Sequence, residues 1–417
     1  MSAAPKSLDG KPLRYFEIAS DTDPFRPARA EIIGNKIKVY NMNVKNPTVV
    51  RYAWESFVRP NLVSEAGLPS PTFEIEAENA GALEIEAGLD AGVSAPFCGA
   101  IADRVIVAGG CNFPEHPMAP NSVKRFYRGI YVLTDDNRWE KIGNLPETMA
   151  YGATAATDSA LVLIGGDNGK GATDAVRMLR LDGLTPRITD LPALPGTLDN
   201  MAAAAIGHTV YVAGGNFNGV PSTRLFALDL DNESAGWKEL APMPGNPRVQ
   251  PVMAASGGKL YLWGGFAGRH EGHEPSLELD GLCYNPANNK WSPLPAPETV
   301  DGEKVSLGGG VAVTLPTGTI ATIGGVNKDV FLEALRNQAP DYLSHEPEWY
   351  RFNAHLLIFD PRKGKWSDFG RQEGAARAGA GAAADSKGRI YINGGEVKPR
   401  IRTAEFMIIS PYDYSRR

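Results

Sequence analysis

The sequence predicts an all-β chain, a six-bladed β-propeller preceded by a small β module, and three observations carry that prediction. Short apolar strands ending in a double glycine recur six times, at VIVAGG (Gly109-Gly110), LVLIGG (Gly165-Gly166), VYVAGG (Gly214-Gly215), LYLWGG (Gly264-Gly265), TIATIGG (Gly324-Gly325) and IYINGG (Gly394-Gly395). Each follows a small-residue strand such as YGATAATD, NMAAAAIG or AGAGAAAD, and most precede two more strands such as HLLIFDP and KWSDFG. Four strands per unit, at a spacing near the roughly fifty residues of kelch repeats, define a kelch-type propeller. The 46 glycines and 32 prolines suit many tight turns between short strands.

Residues 1–75 stand outside this period. RAEIIGNKIKVYNMNV reads as two strands around a Gly34-Asn35 turn, and TVVRYAWES as a third with alternating polarity. The propeller is expected to occupy 76–417. Its sixth unit runs out after three strands, at RTAEFMIISPYDYSRR, whereas ALEIEAGLDAG at 82–92 has the pattern of a fourth strand. That segment is expected to complete the sixth blade, because an unclosed ring would leave an edge open to pairing. Trp139, Trp237, Trp291 and Trp366 are expected to pack between blades.

Composition excludes several classes. A net charge of -6 with no offsetting basic run argues against nucleic acid as partner. No stretch approaches the roughly 18 apolar residues of a membrane helix. The first residues, MSAAPKSLDGKPLRYF, lack an apolar signal core, so the chain reads as cytoplasmic, or periplasmic or secreted if cut from a longer precursor. Cys98, Cys111 and Cys283 form no disulfide framework, and no Cys/His spacing matches zinc. His270 and His273 in GRHEGHE are a weak metal signal, His345 and His355 read as structural, and no metal or cofactor is expected.

In an up-and-down blade, the loop between the second and third strands shares a face with the crossover from the previous blade. One mouth of the channel therefore collects Asn112, Phe113, Tyr151, Asp167, Asn200, Asn216, Arg248, Gln250, Ser306, Asn327, Glu396 and Arg402. Two long loops, 111–128 and 326–353, are expected to flank the sixth blade. Of the six double glycines, only Gly394-Gly395 is followed at once by Glu and then, six residues on, by Arg. A carboxylate beside a guanidinium suits acid/base work on an anionic substrate; the plain alternative is a salt bridge across the loop.

Two resemblances extend this reading. GKPL, FEIA, VKNP, Val50-Arg51-Tyr52-Ala53-Trp54 and Gly67-Leu68-Pro69 in the first seventy or so residues resemble the C-terminal tail of sialate O-acetylesterases. That family's catalytic part would lie upstream of Met1, so esterase activity is not implied, although an upstream esterase domain would explain the abrupt start. Farther on, GGVN (324–327), YRFNAHLLIFDP (350–361), NGGE with KP and RT (393–403), AYG (150–152) and PRVQ (247–250) resemble the N-acetylneuraminate epimerases, sialic acid mutarotases on a kelch propeller. The segment order is similar to a cyclically permuted branch. The inner-strand entry EGAARAGAG departs from the aromatic-containing family form.

That resemblance implies interconversion of the α and β anomers of N-acetylneuraminate, with Glu396 and Arg402 as the catalytic pair. Exchange requires removing the anomeric hydroxyl proton while protonating the ring oxygen, so that the ring opens and recloses. Glu396 suits the acid/base role, and the fork of Arg402 suits the sugar carboxylate. Arg248, Gln250, Asn112, Tyr151, Asn327 and Ser306 are candidates to bind the sugar. The alternative is a non-catalytic propeller binding sialic acid or a protein partner.

Overall fold

The structure, a computed structural model, describes residues 5–20, 24–33, 36–41, 44, 47–54, 58–64, 67–76, 92–119, 121–135, 137–337, 341–372 and 374–410. The chain divides into two compact units, Met1–Glu84 and Ile85–Arg417. Among the described residues, no helix is long and apolar enough to cross a membrane.

The first unit is a five-stranded antiparallel sheet in the order Lys36–Tyr40, Arg26–Ile33, Leu13–Ala19, Val49–Tyr52 and Phe73–Glu76, beside the strand pair Pro5–Ser7 and Leu62–Ser64. Alternation places Phe16, Ile18, Val50 and Tyr52 in its core, where Phe16 and Tyr52 pack at 4.6 Å. The Gly34-Asn35 turn expected from the sequence lies outside the described residues.

The second unit contains six antiparallel sheets whose strands follow in chain order from inside to outside. The innermost strands are Phe97–Ile101, Ala153–Ala156, Ala202–Ile206, Val252–Ser256, Val311–Thr314 and Gly381–Ala384. Each packs against the next, and the last packs against the first. Five sheets have four strands; the sixth shows three among the described residues. The segment 82–92 expected as its fourth strand lies, apart from Gly92, outside the described residues.

Closure is visible in the backbone. Tyr151 N–H donates to Ala95 O (3.0 Å), Asn200 N–H to Tyr151 O (2.7 Å), Gln250 N–H to Asn200 O (2.7 Å), Gly309 N–H to Gln250 O (3.0 Å), Gly379 N–H to Gly309 O (2.7 Å) and Ala95 N–H to Gly379 O (2.6 Å). One residue from each inner-strand entry thus contributes to an unbroken ring of six hydrogen bonds. All six residues have left-handed backbone, with φ between 52° and 71°: Ala95 53°, Tyr151 59°, Asn200 54°, Gln250 52°, Gly309 71° and Gly379 63°.

The double glycines latch neighbouring blades. At Gly394, a Cβ would fall 2.2 Å from Val93 O, while Gly395 N–H donates to that same oxygen at 2.8 Å. Gly110, Gly166, Gly215 and Gly325 make the equivalent bond to Met149, Leu198, Arg248 and Arg377. Glycine is required there because the next blade's entry comes too close for a side chain.

Outer-strand tryptophans stitch the blades farther out. Trp237 Nε1 donates to Pro192 O (2.8 Å), Trp291 Nε1 to Ala241 O (2.8 Å) and Trp366 Nε1 to Pro295 O (3.1 Å), each carbonyl lying at the exit of the preceding blade. Trp139 of the first blade packs edge-on against Phe406 of the sixth at 5.4 Å. The expected interblade role of these four side chains matches these contacts.

Candidate active site

The residue after each double glycine bonds through its backbone to the residue just before the ring member of its own blade, so it sits at the channel mouth. These positions hold Cys111, Asp167, Asn216, Phe266, Val326 and Glu396. Only two are acidic. Asp167 turns its Oδ1 to the N–H of Gly169 (2.7 Å), within its own turn.

Glu396 does otherwise. Its strand Glu396–Lys398 pairs with Ile401–Arg402, and the register sets Glu396 directly opposite Arg402. Its backbone is tied to the inner-strand entry, N–H to Ala378 O (2.7 Å) and O from Ala378 N–H (3.0 Å). Arg402 Nη1 lies 2.9 Å from Glu396 Oε2, with the two side chains 4% and 28% exposed. Glu396 Oε2 also accepts the Arg400 N–H at 3.2 Å. Arg402 Nε donates to Ser94 Oγ (2.9 Å). Its Nη1 is buried and makes no aligned hydrogen bond with any described residue, so the contact with Glu396 is ionic rather than directional.

Electrostatics around the carboxylate are uneven. Burial pushes the Glu396 carboxyl above its ordinary value of 4.5, while Arg402, the Arg400 N–H and Lys124 oppose that push. Lys124 donates from Nζ to Tyr151 Oη at 2.8 Å. The rings of Tyr151, Phe113 and Phe126 surround the ammonium at 4.7, 5.8 and 5.9 Å. Phe113 also carries the guanidiniums of Arg402 and Arg400 at 5.1 and 5.4 Å. Two cations, Arg402 and Lys124, thus act on the carboxylate, and Arg400 reaches it through its backbone N–H.

Both long loops reach this hairpin. Arg400 Nη1 donates to Ala119 O (3.2 Å) in the first, and Lys398 Nζ donates to His345 O (2.5 Å) in the second. The second loop contains the helix Lys328–Asn337 and a 3-10 turn Pro347–Tyr350, and His345 stacks on Trp349 at 3.8 Å.

The remaining sequence candidates separate. Tyr151 and Gln250 belong to the backbone ring, and Gln250 Nε2 donates to Asn200 Oδ1 (2.7 Å). Across the mouth, Asp199 Oδ1 gathers Asn200 Nδ2 and Asn216 Nδ2, each at 2.7 Å. Arg248 lies buried and spends its guanidinium on Gly264 O, Asp280 O and Asp280 Oδ1. Asn112 is buried between Gly92 O and the Tyr127 hydroxyl. Asn327 caps the helix, accepting the N–H groups of Asp329 and Val330 at 3.1 Å. Ser306 is buried and accepts from Gly308 N–H (3.2 Å). These four are held by the scaffold rather than gathered at Glu396. Asn112 and Asn327 stand one residue beyond the mouth position; alternation along the strand Cys111–Asn112 turns Asn112 away, and Asn327 is taken up by the helix start.

Lys124 and Arg400 escaped the sequence reading because neither occupies a repeated position; Ser94 does occupy one, paired with Cys111 before Ala95, but nothing in the sequence marked it as a partner of Arg402. The long loop 111–128 was the available signal for Lys124. His270 and His273 pair through a backbone bridge and stack at 5.4 Å, and no group of three metal-ligating side chains occurs among the described residues.

Comparison with known proteins adds an independent line. The family described as N-acetylneuraminate epimerase matches residues 74–188 and 191–412, more than half of the chain. A Haemophilus influenzae (strain PittEE) N-acetylneuraminate epimerase is 36% identical over 224 residues, 51% of this chain and 57% of that protein. A Brucella melitensis biotype 1 N-acetylneuraminate epimerase is 31% identical over 238 residues, 53% of this chain and 59% of that protein. A solved structure, "Structure of YjhT", is similar at 28% identity and a TM-score of 0.45, covering 53% of this chain and 68% of its own. The chain spans little more than half the length of the curated relatives it matches. With the family matched across nearly the whole ring of blades, the chain belongs to the N-acetylneuraminate epimerase family.

Proposed function

We propose that the second unit interconverts the α and β anomers of N-acetylneuraminate by opening and reclosing the sugar ring at Glu396. The observation that carries this is the ion pair of Glu396 with Arg402, whose buried Nη1 has no aligned hydrogen-bond partner among the described residues. A donor held in that way suits a substrate carboxylate, which two parallel guanidinium N–H groups bind well. The excess of Arg402 and Lys124 over one carboxylate favours an anion at the mouth. Glu396, whose carboxyl is pushed up by burial against the opposing charge of Arg402, takes the anomeric hydroxyl proton and returns it on closure. Neither step changes oxidation state, and both balance within the sugar and the protein. The family's name supports the reaction class and the substrate.

The test is NMR of N-acetylneuraminate freshly released as the α anomer, followed with and without the protein. Exchange well above the spontaneous rate is expected. An unchanged rate, with saturable binding of the sugar, would leave a sialic-acid-binding propeller instead.

A further inference from the structure

Opening the ring moves two protons, one off the anomeric hydroxyl and one onto the ring oxygen, and a single carboxylate on one side of the sugar serves only the first directly. Resting on the reading of Glu396 as the base, we infer that Tyr151, held by Lys124, is the acid that protonates the ring oxygen.

Geometry carries the assignment. An ammonium has three donors and no acceptor, so in the 2.8 Å contact Tyr151 Oη must accept from Lys124 Nζ. The phenol's own proton is therefore directed elsewhere, in this structure to the Cys111 sulfur, from which a substrate oxygen would have to take it over. Both side chains belong to the neighbourhood of the pair: Lys124 acts electrostatically on Glu396, while burial first and Cys111 next push the Tyr151 phenol up, with Arg402 opposing and Glu396 adding to that push. The other titratable group against the phenol is the buried Cys111 thiol. Lys124 is fixed by three aromatic faces, more than a surface lysine needs.

The backbone supplies a second, independent sign. A bulky side chain in the left-handed region is an outlier, and such strain gathers at functional sites. The other ring members are Asn, Gln, Ala and two Gly, all smaller or more tolerant, whereas Tyr151 holds φ 59°. That conformation is a condition of ring closure, so the choice of tyrosine there needs another reason.

The step balances. Glu396 takes the anomeric hydroxyl proton as the bond from the anomeric carbon to the ring oxygen breaks. The bonding pair goes to the ring oxygen, which takes the Tyr151 proton, and the phenolate is held by the Lys124 ammonium. Rotation about the bond next to the new ketone presents its other face. Attack by the former ring oxygen then returns one proton to Tyr151 and the other to the anomeric oxygen. Tyr151 is thus a catalytic residue and Lys124 a positioning residue.

Anomer exchange by NMR over a range of sugar concentrations tests this with Tyr151→Phe, Lys124→Met and Lys124→Arg, each checked for folding by thermal melting. For Tyr151→Phe, kcat should fall about 10²–10⁴-fold with KM nearly unchanged. Lys124→Met should lower kcat, and Lys124→Arg, which keeps a charged donor, should recover most of it. A folded Tyr151→Phe protein as fast as the parent overturns the assignment while leaving the Glu396 reading intact. Should that variant not fold, Lys124→Met read alone decides: an unchanged kcat overturns the assignment. A parent protein that fails to accelerate exchange overturns the Glu396 reading itself, and this assignment with it.

Discussion

Glu396 and Arg402 face each other across one rung of a two-stranded hairpin, 2.9 Å apart, without an aligned hydrogen bond between them. A structural salt bridge on so short a hairpin would be expected to align, since alignment is where its energy comes from. Here the register brings the charges together, while Ser94 Oγ holds Arg402 by Nε. The guanidinium is thus fixed at Nε by Ser94 and set against Glu396 at Nη1.

Substitution should separate the two roles. Glu396→Gln keeps the size and one acceptor but loses the base, so kcat for anomer exchange should fall about 10²–10⁴-fold with binding largely kept. Arg402→Lys keeps the charge and loses the fork, so it should chiefly weaken binding, by about 1.5–3 kcal/mol. The losses should not add, because the two residues touch. Equal rates for Glu396→Gln and the parent would remove Glu396 from the mechanism.

The pH dependence has a definite sign. Burial raises the Glu396 pKa above 4.5, and the carboxylate is the working form. Exchange should therefore decline with falling pH through a midpoint above that value, and Arg402→Gln, removing an opposing charge, should move the midpoint higher. Stability runs the other way. A folded-state pKa raised above the unfolded one contributes stability below the unfolded value, and that stability is lost as pH rises through the folded one. Glu396→Gln should then melt higher than the parent at neutral pH, with the gap closing toward pH 4. A parent that loses activity only below 4 would contradict both expectations.

The periodic parts of this site were legible in the sequence, and the aperiodic parts were not. Six double glycines and alternating strands reveal the blades because every blade must meet the same packing demand. Glu396 stood out as the exception within that repeat. Arg248 was misleading for the same reason: it reads as a rim cation, yet Arg377 occupies the equivalent entry and makes the same latch, to Gly394 O, Glu405 O and Glu405 Oε2. Lys124 lies on a loop with no counterpart in other blades. No single-sequence pattern says which way such a loop turns its side chains.

That latch gives a stability prediction. Arg248→Met leaves two backbone carbonyls without their donors, at about 1–3 kcal/mol each. Its melting temperature should fall clearly, while exchange by the folded fraction at low temperature keeps the parent KM. A raised KM in a fully folded Arg248→Met protein would return Arg248 to the substrate site.

The floor of the mouth yields the last prediction. Three ring positions carry long polar side chains, Tyr151, Asn200 and Gln250, and three carry almost none, Ala95, Gly309 and Gly379. The small half adjoins the hairpin of Glu396 and Arg402, since Ala378, next to Gly379, pairs with Glu396. A Cβ on Gly379 would meet Ser94 Cβ at 3.4 Å and Ala95 N at 3.7 Å, ordinary contacts. Its φ of 63° is one that asparagine adopts with little strain. Gly379→Asn should therefore fold, with melting close to that of the parent. Its side chain would stand beside Ser94, which holds Arg402, and displacing a positioned group by about 1 Å can cost on the order of 10²-fold in rate. Exchange should fall by that order in Gly379→Asn and less in Gly379→Ala. If both variants match the parent in kcat/KM, the open half of the ring is not where the sugar sits.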